Sequence, residues 1–223
     1  MKTQIQSSEI EIPVGKKQLG GELVLPGDAA GIVLFAHGSG SSRHSPRNQY
    51  VARVLHEAGL GTLLFDLLTS EEEQEEYYTR HLRFDIELLA SRLSAGTEWL
   101  TNQDLPQAAR IGYFGSSTGA AAALIAAAQA PESIGAVVSR GGRPDLAAAH
   151  LGKVTAPTLL IVGGNDTGVI ELNEQAYAQL KCEKELRLIP GATHLFEETG
   201  ALEKVSHLAS EWFSKHLQPS KFS

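Results

Sequence analysis

The stretch GYFGSSTGAAAALIAAAQA, Gly112–Ala130, decides how this chain is read. A short apolar run stops at serines boxed by glycines, and an alanine-rich stretch follows at once. The pattern predicts a buried strand, a very tight turn and a buried helix. Such a turn is either plain strand-to-helix connection or the seat of a reactive side chain. The residues at the other strand ends decide which.

Outward from that stretch, apolar runs of strand length alternate with helical patterns. Glu9–Val14 and Gln18–Leu25 flank Gly15-Lys16-Lys17 and predict an antiparallel hairpin. Gly31–Gly38, Leu60–Asp66, Ile134–Arg140, Thr158–Gly164 and Glu185–Pro190 read as further strands, the near-continuous apolar ones covered on both faces. Ser45-Pro46 supplies a cap and a first-turn proline for a helix that stops at Gly59. Leu82, Ile86, Leu89, Leu93 and Leu100 predict one long amphipathic helix with Gly96 as its weak point. Two more helices are expected from about Glu171 and over Leu202–Leu217, and Glu71–Glu76 reads as a solvated loop and helix entry. This β-α alternation is an α/β fold: a mostly parallel twisted sheet with an N-terminal antiparallel hairpin and helices on both faces. The 223 residues, 42% hydrophobic, fit one domain over 1–223 without linker or repeat.

The formal charge of −7 argues against nucleic acid as a partner, since phosphate backbones call for a basic face. The single cysteine, Cys182, cannot close an internal disulfide and sits far from the glycine-boxed turn. MKTQIQSSEI lacks the apolar core of a secretory leader, and no apolar run reaches the roughly 20 residues of a membrane span. The expectation is a soluble cytoplasmic protein that does not engage membranes.

In an open α/β sheet, ligands sit at the carboxyl ends of the strands. Gly115-Ser116-Ser117-Thr118-Gly119 matches G-x-S-x-G between strand and helix, which makes Ser117 the candidate nucleophile and leaves Ser116 off-centre. Its hydroxyl needs a base. His194, past Glu185–Pro190, ends at the same edge, whereas His207 and His216 lie on the last helix and His37 is expected to brace its loop. Asp166, past Thr158–Gly164, supplies a carboxylate for the imidazole, with Asp145 as the alternative acid. Backbone N–H groups of Thr118 and of Ser39, in His37-Gly38-Ser39-Gly40, are the candidate oxyanion donors. Between Arg140 and Pro157 there is room for one short helix, so no large lid domain is expected.

On these residues the chain resembles the α/β-hydrolases from the first hairpin to the last helix, and in size and spacing the dienelactone hydrolase family. The resemblance places Ser117 at that family's nucleophile, Asp166 at its acid and His194 at its base. It departs from the namesake enzymes, which carry cysteine where this chain has Ser117. What it implies is hydrolysis of small carboxylic esters or thioesters with no metal or organic cofactor. An acyltransferase or C–C hydrolase with the same triad, or a non-catalytic binding scaffold, stands as the alternative. Oligomeric state is left open. Arg43, Arg47, Arg140 and Arg143 gather near the same strand ends, where they serve either to hold an anionic substrate group or to pair with the chain's own acids.

Overall fold

The computed structural model describes residues 5–27, 29–103, 105 and 109–218. Residues 1–4 of the stretch read as lacking a leader, and residues 28, 104, 106–108 and 219–223 of the expected 1–223 domain, lie outside it.

The apolar runs form strands. The hairpin is β1 (Ile5–Val14) and β2 (Lys17–Pro26), and β3 (Gly31–Ala36), β4 (Gly61–Phe65), β5 (Arg110–Ser116), β6 (Ile134–Arg140), β7 (Thr158–Gly163) and β8 (Lys184–Ile189) follow. They make one eight-stranded sheet in the order β1-β2-β4-β3-β5-β6-β7-β8. β1, β2 and β4 pair antiparallel, and every pairing from β4 through β8 is parallel. The parallel strands therefore end together, and β5, β6, β7 and β8 deliver their following loops to one edge.

The helices are α1 (Pro46–Glu57), α2 (Ser70–Thr79), α3 (Ile86–Thr101), α4 (Thr118–Gln129), the one-turn α5 (Ala148–Leu151), α6 (Thr167–Gln179) and α7 (Ala201–Leu217). Successive strand residues face opposite ways, so the sheet builds two cores. On one side α1 and α7 bring Val51, Leu55, Val205 and Phe213 against Val33, Phe35, Phe114 and Val138. On the other, α3, α4 and α6 bring Leu89, Leu93, Leu124, Ile125 and Ala176 against Leu34, Leu63, Tyr113 and Val137. The alanine run is explained by α4, in which Thr118 through Ala127 are all buried. A helix covered on every side has no polar face, and small side chains let it lie close to the sheet.

Three elements differ from the expectation. The acidic run is a helix of its own, α2, opened by a capping box in which Thr69 and Glu72 satisfy each other's backbone N–H groups. Within it Glu76 is fully buried rather than solvated: Oε1 accepts from Arg83 Nε at 2.8 Å and Oε2 from the Leu82 N–H at 2.7 Å. The helix expected from Leu82 is divided into a 3₁₀ turn (Leu82–Phe84) and α3, because the Asp85 side chain caps Leu88 N–H and restarts the helix. Gly96 does not weaken α3, since its bare Cα face lies against the Phe65 ring. Finally α6 starts at Thr167, directly after Asp166, rather than near Glu171.

Among the described residues no large lid covers the sheet edge: residues 141–157 hold only a 3₁₀ turn (Pro144–Ala147) and α5. Among the described residues, no helix is long and apolar enough to cross a membrane.

Candidate active site

Ser117 follows β5 and precedes α4 with φ 51° and ψ −121°. A side chain in that region costs about 1–3 kcal/mol and persists only where the surroundings hold it. They do. Ser117 N–H donates to Arg140 O at 3.2 Å, and Ser117 O accepts from Ala120 N–H and Arg143 N–H, each at 3.1 Å. The turn also needs its glycines. A Cβ on Gly115 would run into the backbone of Ala120, and one on Gly119 into the carbonyls of Ala36 and His37. Gly119→Ala is thus expected to lower the unfolding free energy by about 3 kcal/mol through backbone overpacking. Gly168→Ala on α6, where nothing stands within 4 Å, should be neutral or raise it by up to about 1 kcal/mol. Urea unfolding of the two variants checks the contrast.

Asp166 and His194 arrive on loops laced to each other. Gly164 N–H donates to Ile189 O at 2.8 Å, Asn165 N–H to Ala192 O at 2.9 Å, and Asn165 Nδ2 to Gly191 O at 3.0 Å. The result is a 2.7 Å contact between Asp166 Oδ2 and His194 Nδ1. Asp166 stands at the N-cap of α6 yet makes no capping bond, because its carboxylate turns to the imidazole. The histidine loop is pinned further. Glu198 Oε1 accepts from Thr193 N–H at 3.0 Å and from the Thr193 hydroxyl, and Phe196 is buried with φ 56°. Asp145 does not approach the ring: Arg143 holds it in a two-pronged pair at 2.9 and 2.8 Å.

Ser117 and His194 flank the Gly141 turn. Gly141 follows Arg140, whose carbonyl receives the Ser117 N–H, and a Cβ placed on Gly141 would lie 3.5 Å from His194 Nδ1. The serine hydroxyl is not hydrogen-bonded to the ring here, and such contacts commonly tighten only in the substrate complex.

On the other flank, Gly38 packs against the serine: a Cβ there would meet Ser117 Cβ at 3.0 Å. Thr118, the first residue of α4, has an N–H with no acceptor inside the helix. Ser39 N–H donates to Thr118 Oγ1 at 3.1 Å, an interaction the sequence did not suggest. His37 braces the loop as expected. Leu67 N–H donates to its Nε2 at 3.1 Å, which leaves Nδ1 to carry the proton toward Gly38 O at 3.1 Å. Burial lowers the His37 pKa, in keeping with this neutral ring.

The four arginines separate. Arg43 is paired with Asp66 at 2.7 Å and Arg143 with Asp145, so both are held by the protein's own acids. Arg47 meets Glu197 at 3.0 Å near the surface. Arg140 is buried and meets no carboxylate among the described residues. Cys182 is half-buried, with its thiol toward Thr158 Oγ1 at 3.7 Å, and burial pushes its pKa up.

Sequence reasoning missed the segment beside Ser39. A hollow of about 360 Å³ is lined by Ser39, Glu76, Tyr77, Arg80, Arg83 and Phe84, and the Ser39 hydroxyl donates to Arg83 O at 3.1 Å. Tyr77 and Phe84 are largely exposed there. The aromatic pair Tyr77-Tyr78 at the end of an acidic run was the available signal. A larger hollow, about 520 Å³, lies by the β1–β2 turn and includes only Arg43 of the candidate residues.

Comparison with known proteins agrees with this fold. The model of the dienelactone hydrolase family matches residues 21–217. A crystal structure of a dienelactone hydrolase from Anabaena variabilis superposes with a TM-score of 0.94 at 61% identity, covering 96% of this chain and all (100%) of that one. A Mycobacterium tuberculosis protein whose name proposes a phosphoribosyl transferase is 56% identical over 213 residues, 96% of this chain. The match takes in 47% of that protein, so the chain spans about half the length of this curated relative. Est1E from Butyrivibrio proteoclasticus, at 18% identity and TM-score 0.79 over 94% of this chain and 98% of its own, shares the fold.

Proposed function

Because the chain belongs to the dienelactone hydrolase family, we propose that it is a serine hydrolase of small carboxylic esters or thioesters, working through an acyl-enzyme on Ser117. The observation that carries this reading is the 2.7 Å Asp166–His194 pair, on two laced loops, at the sheet edge where Ser117 sits strained at the head of α4.

In this mechanism Asp166 accepts the Nδ1–H of His194 and so leaves Nε2 as the proton acceptor. As Ser117 Oγ attacks the ester carbonyl, Nε2 takes the hydroxyl proton. The carbonyl oxygen becomes an oxyanion, met by the free N–H of Thr118 and by the Ser39 N–H, which turns from Thr118 Oγ1 toward the stronger acceptor. Collapse breaks the bond to the leaving oxygen, which receives the proton from His194. Water then attacks the acyl-enzyme with His194 again as base, and the acid departs with Ser117 restored. Every step uses groups of this chain, and the scheme calls for no metal or organic cofactor. The short 141–157 segment leaves the edge open, which suits small soluble substrates.

The same triad could pass its acyl group to an alcohol, or cleave a C–C bond, and a scaffold would do neither. The phosphoribosyl transfer in the name of the mycobacterial relative is that of a protein about twice as long, of which the match takes in 47%. A series of p-nitrophenyl esters, with and without a primary alcohol, separates these readings. The expected result is steady release of p-nitrophenol and free acid, with kcat/KM highest for the shortest acyl chains. Exclusive formation of the alkyl ester would make the protein a transferase, and no turnover of any ester would remove the proposal.

A further inference from the structure

The hollow beside Ser39 is walled by two rings that the fold leaves open to solvent, Tyr77 at 76% exposure and Phe84 at 59%. Large apolar side chains in such a place need a reason. Tyr77 does not hang free: its ring meets that of Tyr78 edge-on, with centroids 5.2 Å apart and planes at 85°. The backbone beneath the rings is tied down as well. α2 ends at Arg80 with φ 54°, a left-handed conformation uncommon outside glycine, and its N–H donates to Glu76 O. Buried Glu76 then grips Arg83 Nε and the Leu82 N–H, so the turn from Arg80 to Phe84 is fastened to α2 at two points. A buried ion pair adds little net stability. Here it spends the Glu76 carboxylate inside the protein and leaves the two rings as the large apolar surfaces of the hollow.

The hollow joins the candidate active site through one side chain. Ser39 Oγ donates to Arg83 O at 3.1 Å and lies 2.9 Å from Thr118 Oγ1, on the residue after Ser117. Gly40 backs onto the same segment, since a Cβ there would lie 3.5 Å from Arg83 Nη1. The sheet order then says which part of an ester faces this way. Ser117 follows β5, His194 follows β8 on one side of it, and Ser39 and α2 follow β3 and β4 on the other. The leaving oxygen takes its proton from His194, so the alcohol part belongs on the β6–β8 side. The acyl part is left to the side of Ser39, Tyr77 and Phe84.

We infer that this hollow is an acyl subsite, in which Tyr77 and Phe84 hold a flat aromatic acyl group such as an arylacetyl or arylpropanoyl unit. The inference rests on the ester-hydrolase reading for the orientation of the ester, but ring-dependent binding does not depend on turnover. A volume of about 360 Å³ falls at the small end of ligand pockets, enough for one ring and too little for a long chain. Ring-on-ring contact rewards an aryl group beyond its buried area, and a rigid ring loses fewer rotors than an alkyl chain of equal carbon number. Among straight chains the shortest are still expected to react best. Aryl acyl groups should stand above straight chains of their own size.

The test compares p-nitrophenyl phenylacetate and 3-phenylpropanoate with the octanoate and nonanoate, so that the leaving group never changes. The aryl-to-straight ratio of kcat/KM should exceed about 10 in the parent and fall about 3- to 10-fold in each of Tyr77→Ala and Phe84→Ala, mainly through KM. Both side chains are largely exposed, so melting temperature should hardly move. Leu188→Ala, which removes an exposed apolar side chain on the edge strand β8, should leave the ratio alone. A second series holds the acyl group as acetate and compares benzyl with heptyl alcohol; its ratio should not respond to Tyr77 or Phe84. Binding is read separately on Ser117→Ala by saturation-transfer NMR with methyl 3-phenylpropanoate. Its Kd should rise about 3- to 10-fold when either ring is also removed. Ring-dependent binding without hydrolysis by the parent keeps the subsite and removes the esterase. Hydrolysis whose aryl-to-straight ratio ignores both rings overturns the subsite and keeps the esterase. A ratio that responds only in the alcohol series overturns the acyl assignment.

Discussion

Ser117→Ala is expected to lower kcat for short p-nitrophenyl esters by about 10⁵–10⁶-fold, the scale on which a triad enzyme fails without its nucleophile. Melting temperature should hardly move. The alanine keeps the Cβ at φ 51°, and the bonds described above that fix this turn come from its main chain. That separates loss of chemistry from loss of fold, because a variant that melts normally and does not turn over has lost only a hydroxyl. Single-turnover measurements should show no acyl-enzyme. A residual rate within tenfold of the parent would mean that the reaction does not pass through Ser117.

The second large effect is expected at the acid. Asp166→Asn keeps the shape of the side chain but removes the charge facing His194 Nδ1 at 2.7 Å. The ring would then be held in the wrong tautomer, with its proton on Nε2, and kcat should drop by about 10³–10⁴-fold while KM changes little. Asp145→Asn is the matched control. Its carboxylate is bound by Arg143 in two places and touches neither ring nor nucleophile, so the loss should stay below about tenfold. The reverse order of the two variants in a steady-state assay would move the acid to Asp145.

Much of this was legible in the chain. The sheet could be read because β3, β4 and β7 are buried at every position, and an uninterrupted apolar run has few other uses. The turn at Ser117 could be read because Gly115 and Gly119 stand where a Cβ would strike backbone, a constraint that leaves its mark in the sequence. The short path from β6 to β7 left no room for a lid, and none is present.

What escaped depends on contacts between distant segments. The start of α6 was placed four residues late because Asp166 was not seen as its first flanking residue, its carboxylate being drawn away to His194. Glu76 looked like one more solvated acid, and only the fold brings Arg83 and the Leu82 N–H around it. The four arginines look alike in sequence. Asp66 lies on the chain past β4, Glu197 past β8, and nothing local tells that Arg43 and Arg47 meet them while Arg140 meets no acid among the described residues. The bond from Ser39 N–H to Thr118 Oγ1 joins residues 79 apart and has no local signature either.

The most direct test of a Ser117 nucleophile is covalent labelling with a fluorophosphonate, read by intact mass and peptide mapping. The account predicts one adduct per chain, on Ser117, absent from Ser117→Ala and slowed in Asp166→Asn. An adduct on another residue, or labelling that persists undiminished in Ser117→Ala, would contradict it.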